Sequence, residues 1–153
     1  MLLCMESGTF SVAAGILRPM SQANVEAIRQ GYEKWTQEGF EVALAEFIHP
    51  DVELHDIVEM PDGSVYRGHE GARRMWTQWT EMWEEFRFSL EEATDLGNDD
   101  VLAEVRAVGR VSGTDVPVEV RLYEVWTLRD GKGIRRIAST VRASALKAAG
   151  ISE

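Results

Sequence analysis

Two carboxylates interrupt apolar faces that the sequence assigns to strands. Asp56 shares one predicted strand face with Val52, Leu54 and Val58. Glu124 lies in a later strand on the same face as six apolar residues: Val116, Val118, Val120, Leu122, Trp126 and Leu128. A charge on a core-facing surface costs free energy unless a partner compensates it. We therefore expect both carboxylates to point inward.

Tyr32 is predicted to bring a hydroxyl to the same interior. With Val25, Ile28 and Trp35 it forms an apolar stripe at spacings of three and four residues, which is typical of the buried face of a helix. A buried tyrosine usually finds a hydrogen-bond partner. Two acids and a phenol would then converge, and such a set is suited to general acid/base catalysis.

Each candidate also has an interpretation without catalysis, and these stay open. Asp56 can hydrogen-bond loop amides at a strand end, Glu124 can pair with an arginine at a dimer seam, and Tyr32 can be a core aromatic residue. The alternative function is a non-catalytic pocket protein that binds an apolar metabolite, or a dimeric accessory domain, because one fold hosts many roles.

Helices are predicted to come first in the chain. The first follows Ser21 and ends before Gly39, and the second covers Phe40 to Ile48. The third follows Gly68 and has a broad apolar face formed by seven residues: Ala72, Met75, Trp76, Trp79, Met82, Trp83 and Phe86. The tryptophans are interpreted as core packing, with one or two rings exposed to a pocket.

Strands fill the rest of the chain. One is predicted at Val52–Val58, and an antiparallel meander follows at Arg87–Leu96, Val101–Ser112, Val116–Arg129 and Ile134–Val141. Helices on one face of a bent sheet give an α+β fold. The other face, with Leu102, Val108, Tyr123 and Val125 among charges, suits a homodimer.

Composition limits the partners. The 153 residues carry a net charge of −10, which opposes binding to nucleic acid and to anionic membranes. Cys4 is the single cysteine, so no intrachain disulfide is possible and a cytoplasmic location is expected. Residues 1–19 are expected to be a flexible or adventitious extension, followed by one domain over residues 20–150 and a short tail at 151–153.

Five short motifs resemble, in order, those of SnoaL-like members of the nuclear transport factor 2-like superfamily. The motifs are Asn24-Val-Glu with Gly31-Tyr32, Pro50-Asp-Val-Glu-Leu-His-Asp56, Tyr66-Arg-Gly-His-Glu-Gly71, Glu124-Val-Trp-Thr-Leu-Arg-Asp-Gly-Lys132 and Ser144-Ala-Leu-Lys-Ala-Ala-Gly150. The resemblance implies a cone-shaped half-barrel: a strongly bent antiparallel sheet packed on about three N-terminal helices. It also implies a pocket at the open end and a dimer through the outer sheet face.

The ketosteroid isomerase branch implies roles for three residues of this chain. Tyr32, Asp56 and Glu124 resemble its tyrosine, its base and its pocket acid, although that acid is one methylene longer here. In that chemistry a carboxylate moves a proton at carbon while a phenol and a protonated acid stabilise an enolate oxygen. The handling of a small hydrophobic, cyclic or polyketide-like molecule without a cofactor is the predicted function.

Two other branches fit the chain less well. SnoaL-type cyclases resemble it more closely overall, but Val141 stands near the end of the last strand, where those proteins have their acid/base aspartate, and valine cannot transfer a proton. Epoxide-hydrolase-like members activate water with an Asp-Arg-Asp set, for which Arg106 or Arg121 would have to join Asp56 and Glu124. Both arginines fall on the outward face.

The predicted ligand contacts are mostly aromatic and aliphatic: Trp35, Leu54, Trp76, Trp79, Val120, Leu122 and Trp126. His55 and His69 lack the spacing of a metal site, so no metal ligand is predicted.

Overall fold

The computed structural model describes residues 20–61 and 63–152, so the predicted extension over residues 1–19 lies outside the described residues. The helices are α1 (Met20–Glu38), α2 (Phe40–Glu46), α3 (Gly68–Glu81) and α4 (Arg142–Ala148). The strands are β1 (Ile48–Ile57), β2 (Val65–Arg67), β3 (Trp83–Gly97), β4 (Asp100–Val111), β5 (Pro117–Arg129) and β6 (Lys132–Ser139).

Helix α1 buries the stripe that its spacing predicts. Ile28, Tyr32 and Trp35 are all buried against the sheet. A Cβ at Gly31 would lie only 2.5 Å from the ring of Phe47, so glycine allows α1 to pack closely on that ring. The helix ends where predicted, since Gly39 follows it with a φ of 99°.

Two predicted helices are too long. The second stops at Glu46, and β1 begins at Ile48 instead of Val52. Pro50 fits in that strand because the pairing of β1 with β6 is interrupted between Ile48 and Glu53, where a missing N–H breaks no ladder bond.

The third helix ends at Glu81, so Trp83 and Phe86 belong to β3, in contrast to the prediction. The pairing of β3 with β4 contains an extra residue between Glu84 and Arg87. Trp83 and Phe86 are three positions apart, a spacing that is also typical of one face of a helix. In β3 the bulge interrupts the usual alternation at this point, so the strand pattern is not visible in the sequence.

The sheet is curved and open, with strand order β2-β1-β6-β5-β4-β3. The predicted antiparallel meander is confirmed for β3 to β6. The first strand joins it differently, because β1 pairs with β6 in parallel. Helices and curved sheet together form the α+β cone-like fold that the sequence predicts.

The outer face of the sheet is partly covered by α4. Ala145 and Leu146 pack there against Leu102, Val125 and Ile137. Leu102 and Val125 are therefore fully buried within the chain, which corrects the expectation that both residues form an exposed apolar surface.

Candidate functional site

A cavity of about 200 Å³ lies between the helices and the concave face of the sheet. Its walls come from α1, α3, the end of β1, and strands β2 to β6. The apolar lining residues are Trp35, Ile57, Met60, Met75, Trp76, Trp79, Met82, Phe86, Phe88, Val105, Ala107 and Leu122. The polar lining residues are Tyr32, Asp56, Tyr66, Gln78, Glu124 and Arg136. Such a mostly apolar cavity with a few polar groups is typical of small-molecule sites.

One wall of the cavity is aromatic. The ring of Trp35 lies 5.0 Å from Trp76 and 5.0 Å from Phe88, measured between centroids. Phe86 lies 6.0 Å from both Trp76 and Trp79. These contacts hold the rings in tilted and edge-to-face arrangements.

The buried end of the cavity contains a hydrogen-bonded network around Glu124. The Tyr32 hydroxyl donates to Glu124 Oε1 and accepts a bond from Trp126 Nε1 at 3.1 Å. Arg136 Nη1 donates to Glu124 Oε2 at 3.2 Å. The carboxylate therefore has a phenol on one oxygen and a guanidinium on the other.

This network determines the charge state of Tyr32. Burial first, and then the neighbouring Glu124 carboxylate, raise the pKa of the Tyr32 hydroxyl well above its usual value near 10. Tyr32 is thus a neutral donor. Glu124 and Arg136 are both almost completely buried, with side chains 6% and 9% exposed, and in such a pair each ion compensates the other.

Arg136 is a residue of this site that the sequence analysis did not select. The segment of β6 around it has apolar and basic residues on both faces, so alternation does not show which arginine points inward. Its Nη2 also donates to the His55 carbonyl oxygen at 2.9 Å and lies 3.3 Å from Met75 Sδ. The signal available in the sequence was Glu124 itself, because a carboxylate predicted to be buried needs a cation or a hydrogen-bond donor beside it.

Asp56 lies on the cavity wall as well, but it is only half-buried. Its backbone N–H donates to the Ser64 carbonyl oxygen at 3.0 Å. The Ser64 N–H lies 3.4 Å from Asp56 Oδ2. The carboxylate thus combines one loop amide contact with access to the cavity.

Glu59 anchors the cavity rim that follows β1. Its carboxylate accepts hydrogen bonds from Ser139 Oγ at 2.5 Å and from the Thr140 N–H at 3.1 Å. Burial opposes ionisation, but these hydrogen bonds outweigh it and lower the pKa of Glu59. The next residue, Met60, lines the cavity, so Glu59 ties this part of the cavity wall to the end of β6.

Seven of the predicted site residues line this cavity: Tyr32, Trp35, Asp56, Trp76, Trp79, Leu122 and Glu124. Three do not. Leu54 is buried in the core, and Val120 packs against the same core cluster. Trp126 lies behind Tyr32, with its ring 5.2 Å from that of Phe47, so it supports the network without lining the cavity.

The remaining candidates lie away from the cavity. Arg106 pairs with Glu119 and Arg121 with Glu91 in exposed salt bridges. Val141 is 51% exposed and precedes α4. Among residues 20–61 and 63–152, no group of His, Cys, Asp and Glu side chains is arranged to hold a metal ion. None of the helices in these ranges has the length and hydropathy needed to cross a membrane.

A family model described as the SnoaL-like domain matches residues 28–136. No curated protein matches the chain. Solved structures similar to it include a putative SnoaL-like polyketide cyclase from Jannaschia sp. CCS1, with 21% identity and a TM-score of 0.64 over 78% of this chain and 86% of that chain.

Two further structures share the fold. An NTF2-like protein of unknown function from Burkholderia pseudomallei K96243 has 16% identity and a TM-score of 0.67 over 82% of this chain and 95% of that one. A protein with a ketosteroid isomerase-like fold from Catenulispora acidiphila DSM 44928, in complex with trimethylamine, has 20% identity and a TM-score of 0.62, covering 83% and 94%. At these identities the likeness shows the fold alone.

Proposed function

We propose that this chain, which belongs to the SnoaL-like domain family, acts on a small hydrophobic cyclic or polyketide-like molecule by acid/base chemistry that uses its own side chains. The observation that carries the proposal is the presence of two carboxylates and a neutral phenol on the wall of one apolar cavity. The reaction class is isomerisation, cyclisation or dehydration.

Asp56 is the group proposed to move the proton. It is the more accessible of the two acids and is not paired with a cation in the described contacts. Its carboxylate would take a proton from a carbon next to a carbonyl group, and the electron pair would move to the carbonyl oxygen as an enolate forms. If the ketone has a β,γ double bond, the intermediate is a dienolate, and return of the proton to its γ carbon would move the double bond into conjugation and complete an isomerisation.

Tyr32 is proposed to stabilise the enolate oxygen. Its raised pKa keeps the hydroxyl protonated, so the hydroxyl can turn from Glu124 to donate to the ligand. Both oxygens of Glu124 already have partners, Tyr32 on one and Arg136 on the other, whereas the resemblance implies a pocket acid that donates to the ligand at this position. We therefore assign Glu124 the role of an acceptor that orients Tyr32.

A non-catalytic binding protein is the second candidate. One observation favours it: both oxygens of Glu124 already have partners within the chain. A satisfied buried network is a common structural device and needs no substrate. The aromatic wall would bind an apolar metabolite equally well in either case.

Ligand binding and carbon-bound hydrogen exchange separate the two functions. A panel of bicyclic ketones and their hydrocarbon analogues would be titrated by tryptophan fluorescence, because Trp35, Trp76 and Trp79 line the cavity. Bound ketones would then be incubated with the protein in D₂O and analysed by mass spectrometry. We expect deuterium at the carbon next to the carbonyl group to appear faster than in buffer. Binding without exchange across the panel would contradict the catalytic proposal and support the binder.

A homodimer through the outer face of the sheet is also proposed. On the outer face, Val108 of β4 and Tyr123 of β5 remain half-buried, and Tyr123 packs beside the cluster that α4 covers. Arg106 and Arg121 lie between them in exposed ion pairs with Glu119 and Glu91, so the proposed interface combines apolar and charged groups. Light scattering at micromolar concentration should give twice the mass of one chain, and Val108→Glu should give a monomer. A strict monomer for the unmodified chain would refute the dimer.

A further inference from the structure

We propose that Arg136 is a positioning residue that holds both carboxylates of the site in place. The inference rests on the proposed function for its effect on rate, but its structural part stands on contacts alone. One guanidinium nitrogen contacts Glu124, and the other contacts the backbone next to Asp56. A single side chain thereby connects the two acids.

The backbone at Asp56 has an irregular form that requires such support. In the pairing of β1 with β6, Leu54 aligns with Arg136 and Ile57 aligns with Ala138. Strand β1 therefore contains one more residue than β6 over this interval, which is a bulge. A bulge redirects side chains, and here the consecutive residues Asp56 and Ile57 both line the cavity. Regular alternation would send one of them to the opposite face.

Arg136 satisfies a carbonyl group within this bulge. The His55 oxygen accepts from Arg136 Nη2 at 2.9 Å. On the other side, the N–H of Asp56 donates to Ser64. A buried backbone carbonyl without a partner is costly, so the guanidinium stabilises the bulged backbone. The peptide that leads into Asp56 is therefore held from both sides, and this sets the direction of the Asp56 side chain.

The other terminal nitrogen of Arg136 contacts Glu124, the acid that is proposed to orient Tyr32. Its Nη1 lies 3.2 Å from Glu124 Oε2 in a nearly dry environment. When Tyr32 turns its proton to a ligand, Arg136 is the cation that still pairs with Glu124. Without that guanidinium, Tyr32 would be the remaining partner of Glu124 in this contact set, and its hydroxyl would be held toward Glu124 instead of the ligand.

The test compares Arg136→Met with Arg129→Met, an exposed arginine at the end of β5 whose loss changes the net charge equally. We expect Arg136→Met to shift the backbone amide NMR signals of residues 55–57 and to lower the deuterium exchange rate about 100-fold. Ligand affinity by tryptophan fluorescence should change by less than about 3-fold, because Arg136 is proposed to orient groups rather than to bind. Arg129→Met should leave all three measurements unchanged.

A second variant guards against misfolding caused by an unpaired buried carboxylate. In the combination Glu124→Gln with Arg136→Met both members of the buried ion pair are replaced by uncharged side chains, and the amide oxygen at position 124 can still accept from Tyr32. The signals of residues 55–57 should still be shifted in this variant, whereas Glu124→Gln alone should leave them near their original positions. Unshifted signals in both Arg136→Met proteins would overturn the inference. If the unmodified protein shows no exchange with any ketone, the proposed function fails while the NMR comparison still tests the role of Arg136.

Discussion

At the scale of single residues, the site depends on one hydroxyl group with two buried partners. Tyr32 accepts from Trp126 and donates to Glu124, so its oxygen connects β5 with α1. Neither partner has an alternative in water, because both side chains are buried. The hydroxyl therefore matters for stability as well as for the proposed chemistry.

Removal of this hydroxyl should lower the free energy of unfolding. Tyr32→Phe leaves the Trp126 N–H without its acceptor and Glu124 without one donor, which should cost about 1–3 kcal/mol. Tyr66→Phe is the matched control, because the Tyr66 hydroxyl binds the exposed Gln78 side chain. Urea unfolding of both variants measures the difference. If both variants lose the same free energy of unfolding, the buried network stabilises the fold no more than the Tyr66–Gln78 hydrogen bond does.

At the scale of elements, helix and strand periodicity predicted most of the fold. Alternation in β5 grouped Glu124 with Leu122 and Trp126, and the structure buries all three. Periodicity failed where a bulge changes the spacing, as it does between Trp83 and Phe86. It also failed at Arg136, since the inward face of β6 depends on its partners β1 and β5 and not on its own sequence.

The position of β1 could not be predicted from local sequence. The parallel pair of β1 and β6 joins distant parts of the chain, and it has no hairpin turn that could be recognised in the sequence. The packing of α4 on the outer face is likewise a tertiary contact that local sequence does not predict. The composition of Ala145 and Leu146 favours a helix, but the tertiary contact determines which surface it covers.

Close packing of α1 on the Phe47 ring predicts the effect of a methyl group at Gly31. Alanine is favoured over glycine in a helix by about 1 kcal/mol. However, the added Cβ would lie 2.5 Å from the buried Phe47 ring, and such overpacking typically costs about 1–3 kcal/mol. We expect Gly31→Ala to lower the melting temperature. Gln30→Ala, at an exposed position of the same helix, should leave it within a few degrees. A higher melting temperature for Gly31→Ala would contradict the observed packing.

The rim of the cavity should be sensitive to acid through Glu59. Its pKa is lower in the folded chain than in the unfolded one, so its contribution is present above the unfolded value of about 4.3 and is lost as the pH falls through the folded value. The melting temperatures of the wild type and Glu59→Gln should therefore differ at pH 7 and converge below about pH 4. In the Ser139→Ala background the difference at pH 7 should shrink. A gap that stays constant from pH 7 to pH 3 would contradict this role.

At the scale of the whole molecule, the cone-like fold places an aromatic wall, a half-exposed acid and a buried network around one cavity. The chain has a net charge of −10, while the buried pair of Glu124 and Arg136 contributes no net charge to the interior. This arrangement favours an uncharged apolar ligand over a polyanion. The fold forms the cavity, and the side chains that line it determine which ligand and which chemistry it can accommodate.

The most direct test of this account measures the contribution of Asp56 to carbon-bound hydrogen exchange. Asp56→Asn keeps the size and the loop contact but cannot accept the proton, so the exchange rate of a bound ketone should fall by about 100-fold or more. Its affinity, measured by tryptophan fluorescence, should change little. An exchange rate in Asp56→Asn equal to that of the unmodified protein would contradict the central claim.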